Sequence, residues 1–415
     1  MPQALQHAVR RMTGRDPDED GRASTPLELL FDLTFVIAFG AAADELAHAL
    51  VEEHVQEGIL AFLLAAFSIT WAWINFTWFA SAYDTDDWVF RLTTMVQMTG
   101  VIVLALGVPD MFASLTHHED HLDLRLMVIG YVTMRLPMVG QWLRAGRQDP
   151  SRQALCSRMV WTLVVAQVGW ALLIPVHPPM ELTGIVVVLL VALEAAGPFL
   201  AERLDGGSPW HGHHIAERYG LMVIIALGEG LLGGTAALGV LIEDGWTLEV
   251  VVLGLAGIAL TFGVWWTYFV IPFGHLLAAH RERSFGWGYG HIPIFGAVVA
   301  MGAGLHTAAY YLEHHSELDA TGTILAVAIP VAVYSGLLFL LYAQITRTLD
   351  PFHLLLIAGT AALLVLPVVL AAAGADMVWC LAVLALSPWV TVVGYETVGH
   401  RHNAAVLASL EEQTT

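Results

Sequence analysis

The sequence predicts an all-α, polytopic integral membrane protein, and three observations predict it. The 415-residue chain is 57% hydrophobic and only 13% charged, whereas soluble domains carry about 25% charge. About twelve apolar segments are long enough to cross a hydrocarbon core of ~30 Å, at ~20 residues each. All 17 basic residues are arginine, and they gather in alternate loops. The mean hydropathy is +0.67. The net charge of −20 would by itself suggest an acidic soluble protein, but the placement of the charges matters more than their sum.

The spans are expected near residues 28–50, 57–82, 89–112, 122–144, 154–176, 181–203, 213–239, 246–272, 290–313, 320–345, 352–373 and 376–398. Thr25 and Pro26 give the first a helix start signal. The fourth and ninth are the least cleanly apolar. On one side of the membrane lie the N-terminal arginines, Arg91, the loop with Arg144, Arg147, Arg152 and Arg158, and then Arg203, Arg281, Arg283, Arg347 and Arg401. The opposite loops, near residues 52–57, 116–123, 176–181, 243–245, 313–319 and 374–376, have essentially no arginine. The positive-inside rule makes the arginine side cytoplasmic, together with both termini. The first 25 or so residues are polar, with no apolar core and cleavage site, so no cleavable signal peptide is expected. Cys156 and Cys380 fall near or in spans, which excludes a disulfide framework or a CxxC metal motif.

The text suggests an internal repeat. Residues 31–40, FDLTFVIAFG, align without gaps to 219–228, YGLMVIIALG, with Leu, Ile, Ala and Gly matching at four of ten positions. Tryptophan clusters follow in each half, WAWINFTWF (71–79) and WWTYF (265–269). Glycine-rich third spans follow those, MTGVIVLALG (98–107) and FGAVVAMGAG (295–304). The expected organisation is a cytoplasmic N-terminal segment (1–26), a six-helix half (27–205), a second six-helix half (206–399) and a cytoplasmic tail (400–415). Such a six-plus-six parallel repeat is frequent in transporters. Apolar helices also resemble one another by composition alone.

Several polar residues stand where hydrocarbon should be. Glu229 follows the apolar run 221–227, among Gly228, Gly230, Gly233 and Gly234. A charge there costs roughly 2.5–3.5 kcal/mol or more unless it faces a partner or water. It is a candidate proton, ion or substrate site; the plainer reading is a neutral acid hydrogen-bonded across a helix pair. The repeat places Ala41 opposite it, so Asp44, Glu45 and His48, one turn further along the first span, are candidates for the missing polar groups. Glu28 and Asp32 are four residues apart and share a helix face. They read as an ion site between the halves or as a structural ion-pair network, with Arg91 and Arg218 as expected partners. His214, Glu217 and Arg218 cluster at the start of the seventh span. Asn75 lies among Trp71, Trp73 and Trp78, which with Trp265 and Trp266 line a solute pocket or, more commonly, pack. Glu194 and Arg135 are further intramembrane charges.

The loop segments HHEDH (117–121) and EHHSE (313–317) make His117, His118, His121, His314 and His315 weak metal candidates, but their spacing fits no zinc pattern. A solvated loop explains them better, and no metal or cofactor is expected. There is no phosphate-binding GxxxxGK[ST] loop, no GxSxG and no HExxH. No basic patch lies outside the topology-setting loops, so nucleic acid is not an expected partner.

The motifs ELLFDLTFVIAF (28–39) and HIAERYGLMVIIALGE (214–229), with the tryptophan-rich second span, WWTYF and HIPIFGAVVAMGAG (291–304), resemble the bacterial low temperature requirement A family over nearly the whole chain. Leu30, where the family usually has an aromatic residue, departs from the pattern in packing rather than chemistry. The resemblance implies a multi-span protein of the bacterial cytoplasmic membrane and no agreed activity. The expected partners are the lipid bilayer and an unidentified small solute or ion; a homo-oligomer is left open. The leading functional expectation is a secondary, proton- or ion-coupled transporter. The alternatives are a membrane-embedded lipid-acting enzyme or a structural or sensory protein supporting growth in the cold.

Overall fold

The computed structural model describes residues 9–204, 206–242, 247–348 and 350–414. The expected loop at 243–245 and the first eight residues lie outside these. Among the described residues the structure is helical, with no strand. The helices are α1 (Pro26–Val51), α2 (Val55–Tyr83), α3 (Trp88–Leu106), α4 (Val108–Thr116), α5 (Arg125–Gln148), α6 (Gln153–Val176), α7 (Met180–Leu204) and α8 (Gly212–Ile242). There follow α9 (Leu248–Phe269), α10 (Phe273–Ala279), α11 (Ser284–Leu312), α12 (Ala320–Thr346), α13 (Pro351–Ala372), α14 (Met377–Leu384), α15 (Ser387–Gly394) and α16 (His400–Thr414).

Every expected span falls on a helix, but ten helical stretches among the described residues, not about twelve, are long and apolar enough to cross a membrane. The fourth and seventh expected spans, on α5 and α8, are not among the ten. Helix α5 carries Arg125, Arg135, Arg144 and Arg147 within 24 residues, which lowers its apolarity.

Three expected spans are interrupted. The third is split into α3 and α4 at Gly107, with Pro109 in the following turn. The eighth ends at Phe269, and Pro272 precedes the short α10. The twelfth is α14 and α15, with Pro388 starting the second, then a π-helical turn at Tyr395–Gly399. Proline removes a backbone donor and crowds the preceding turn, so it begins new helices more readily than it continues old ones. Other starts are set by side chains. Asp87, Thr247, Asp319, Asp350 and Asp376 each accept an amide proton at a helix N-terminus. At α1, Thr25 and Glu28 form a reciprocal capping box: the Thr25 amide donates to Glu28 Oε2 at 2.8 Å and the Glu28 amide to Thr25 Oγ1 at 3.3 Å.

The chain forms two compact units. One comprises Met1–Ala41 and Ser68–Ile215, the other Ala42–Phe67 and Ala216–Thr415. In the first, α5 packs against both α3 and α6, and α7 packs on α6. Gly100 and Gly130 let α3 and α5 meet backbone to backbone, since a Cβ on Gly100 would stand 2.6 Å from the Gly130 carbonyl oxygen. Phe79, Tyr83 and Trp142 form an aromatic core at the ends of α2 and α5. The extended segment before α1 is anchored there: Met12 is fully buried, its amide bonded to Gln148. In the second unit α11 is the most buried of the ten candidate spans. Helix α12 packs on it, α13 on α12, and α14 and α15 against α13 and α9.

Candidate functional site

The polar groups of the second unit form a ladder on α1, α8 and α11. The C-terminal part of α1 places Asp44 and His48 four residues apart, and α11 does the same with His306 and Tyr310. Residues at that spacing share a helix face one turn apart. Asp44 Oδ1 lies 3.3 Å from His306 Nδ1, and Tyr310 Oη lies 2.9 Å from His48 Nε2. The two contacts are rungs about 5.4 Å apart along the helices.

Glu229 of α8 completes the lower end. It is buried, and His306 and Asp44 are the titratable groups that act on it. The close packing has a simple cause. Gly302 on α11 faces Glu229 and Gly233 on α8 faces His306, so each polar residue lies against a glycine of the other helix. Glu229 Oε1 and His306 Nε2 are both buried with no hydrogen-bond partner among the described residues. Burying an uncompensated polar atom costs free energy, so the site holds a carboxyl and an imidazole with capacity left to exchange a proton or bind a cation.

The first unit holds a second cluster. Glu28 of α1 lies 3.2 Å from His214 Nε2 and 3.7 Å from the Arg22 guanidinium, which is also 3.7 Å from Asp84. All are buried. Burial, and then the charge of Glu28, push the Asp84 carboxyl up to about 6. Nearby, burial alone would raise Asp87. The hydrogen bond from Arg144 and the amides of Phe90 and Arg10 outweigh it and hold that carboxyl at about 2. Asp32 accepts a 2.7 Å hydrogen bond from the Trp73 indole. Thus Glu28 and Asp32 share a face as expected, but each is compensated by its own surroundings. Arg22, in the segment before α1, stands by Glu28, whereas Arg91 pairs with Asp86 at 2.8 Å in an exposed position. Sequence reading missed Arg22, and only its nearness to Thr25 and Glu28 signalled it.

At the start of α8, His214 and Arg218 are fully buried while Glu217 is exposed. Adjacent positions on a helix diverge by about 100°, which separates Glu217 from Arg218. Asn75 bonds back to the Trp71 carbonyl of its own helix at 2.9 Å. Trp71 and Trp73 are packed in the interior, and Trp265 and Trp266 lie at the surface. Arg135 and Glu194 do come together. Arg135 donates to the Tyr131 hydroxyl, Tyr131 bonds Glu194, and Gln167 donates to the other Glu194 oxygen at 3.0 Å.

The loop histidines are not gathered into a metal centre: among the described residues no group of three or more His, Cys, Asp or Glu could hold an ion. His117 and His118 are exposed at the end of α4, and His314 and His315 at the end of α11. His118 and His314 both take left-handed backbone angles that terminate those helices. His121 bonds the Pro178 carbonyl at 2.9 Å, and His315 lies 3.3 Å from Glu313.

A multi-span helical protein with buried acid and imidazole groups is the class that fold and site define. The model of the bacterial low temperature requirement A protein family matches residues 23–388, and the chain belongs to that family. It is also similar to Uncharacterized protein RA0937 of Rhizobium meliloti (strain 1021), 28% identical over 311 residues that cover 70% of each chain. No solved structure matches.

Proposed function

We propose that the protein is a secondary transporter, coupled to protons or another ion, that moves a small solute or ion across the bacterial cytoplasmic membrane. In this reading both termini are cytoplasmic and the chain is a six-plus-six parallel repeat. The observation that carries it is the burial of Glu229 with Oε1 uncompensated, beside a His306–Asp44 pair and one turn from His48–Tyr310. A purely structural acid would have its oxygens satisfied by neighbouring donors. Here the carboxyl begins a series of titratable groups that continues along α1 and α11 toward their loop ends. Buried ionisable residues in spans commonly mark proton and ion pathways. In this reading the clusters around Glu28 and around Arg135–Glu194, whose carboxylates face an arginine within 4 Å, supply structure.

Proteoliposomes holding the purified chain and an internal pH dye test this. An imposed membrane potential drives proton entry through the wild type, and Glu229→Gln removes it. Absence of flux of protons, other ions or solutes through the wild type would overturn the reading.

A further inference from the structure

Helices α9, α12, α13 and α15, the π-helical turn and α16 line a partly open cavity of about 60 Å³ at the end of α12 that leads to Arg347. It lies on helices other than α8, and nothing in the proposed transport reading uses it. Five aromatic residues line it, Tyr334, Phe339, Tyr342, Phe352 and Tyr395, with His353 and Asn403. Among the described residues no lysine, arginine, aspartate or glutamate does.

Four polar side chains of this lining, Thr267, Tyr334, Tyr342 and Asn403, donate protons to neighbouring oxygens. Thr267 and Tyr334 both donate to the Val264 carbonyl at 2.8 Å. Tyr342 donates to Asn403 Oδ1 at 3.0 Å, and the Asn403 amide donates to the Val270 carbonyl at 3.1 Å. His353 Nδ1 lies 2.8 Å from Asp350, which also holds His402 at 2.9 Å. The lining therefore combines acceptor oxygens with five aromatic rings, and the Asp350 carboxylate stands behind His353. Aromatic rings attract cations through their negative faces, more strongly where water is excluded. The π-helical turn is a second sign, because such turns are frequent at functional sites. It contributes Tyr395 and Gly399 to the lining.

We propose that this cavity binds a small organic cation of the alkylammonium class. Titration calorimetry tests it on the full chain in phosphatidylglycerol nanodiscs, with choline, tetramethylammonium and 3,3-dimethylbutan-1-ol, the uncharged isostere of choline. The expected result is saturable binding of both cations and at least tenfold weaker binding of the isostere. Tyr395→Leu lowers choline affinity about tenfold, and Tyr395→Phe, which keeps the ring, leaves it within about twofold. Repeating the choline titration in phosphatidylcholine nanodiscs separates two sources of the same group. Unchanged affinity means a free cation, and lowered apparent affinity means that a lipid headgroup competes for the site; either result supports the ligand class. Equal binding of the isostere, no binding of either cation, or a Tyr395→Leu protein that binds choline like the wild type would overturn it.

Discussion

Gly302 stands directly against Glu229: a Cβ added at 302 would come within 2.6 Å of the glutamate Cβ and 2.7 Å of its backbone carbonyl carbon. Helices α8 and α11 can therefore approach only because position 302 has no side chain. One turn further on, Gly233 repeats the relationship with roles exchanged, since a Cβ there would meet the His306 ring at 2.4 Å. The glycines bring acid and imidazole onto neighbouring helices with room for nothing larger.

The first prediction follows from that contact. Gly302→Ala forces backbone to move and should destabilise the protein by about 1–3 kcal/mol. Gly336→Ala, on α12 where nothing lies within 4 Å, should be neutral or stabilising by up to about 1 kcal/mol through helix propensity. Thermal unfolding of the two variants in the same detergent separates them; equal losses would contradict the packing account.

Arg135 and Glu194 are each 2% exposed in their side chains, so removing either partner strands the other in a dry interior. Arg135→Leu or Glu194→Leu should cost about 3–5 kcal/mol. The double variant should recover most of it, because apolar groups of similar volume often replace a buried pair without loss. A double variant as unstable as either single one would show that the pair contributes more than its own compensation.

Asp84 makes stability depend on pH in a particular direction. Its folded-state value of about 6 lies above the ~3.9 of an unfolded chain, so the folded protein binds that proton more tightly. The contribution is fully present below about pH 4 and is lost as pH rises through about 6, a span worth roughly 3 kcal/mol. Asp84→Asn keeps a neutral group and should raise the melting temperature at pH 7.5 while changing little near pH 4. Asp87 runs the other way: its value of about 2 means stability is lost only as pH falls from about 4 toward 2. A stabilising effect of Asp84→Asn that is the same at both pH values would refute the assignment.

Much of the fold was legible because membrane spans announce themselves by apolar length, and all the expected spans coincide with helices. The interruptions at Gly107, Pro272 and Tyr395–Gly399 were not, since a continuous apolar run reads the same whether its helix is straight or broken. The site was half legible. Glu229 and Asp44 stood out as carboxylates in hydrocarbon text. His306, in the middle of MGAGLHTAAYY, did not, because only helix packing turns it toward Asp44 and α8. The same holds for Arg22, which leaves the polar leader to meet Glu28, and for the Arg135–Glu194 pair, whose partnership depends on the register between α5 and α7. Spacing along one helix is written in the sequence; alignment between helices is not.

The most direct measurement of the central claim is proton flux into dye-loaded proteoliposomes under an imposed potential, with wild type, Glu229→Gln and Glu229→Asp reconstituted at equal density. The account predicts flux in the wild type, none above empty liposomes in Glu229→Gln, and partial flux in Glu229→Asp, which keeps the carboxyl on a shorter stem. Flux in Glu229→Gln equal to the wild type would contradict it, because the glutamine fills the same space and cannot carry the proton.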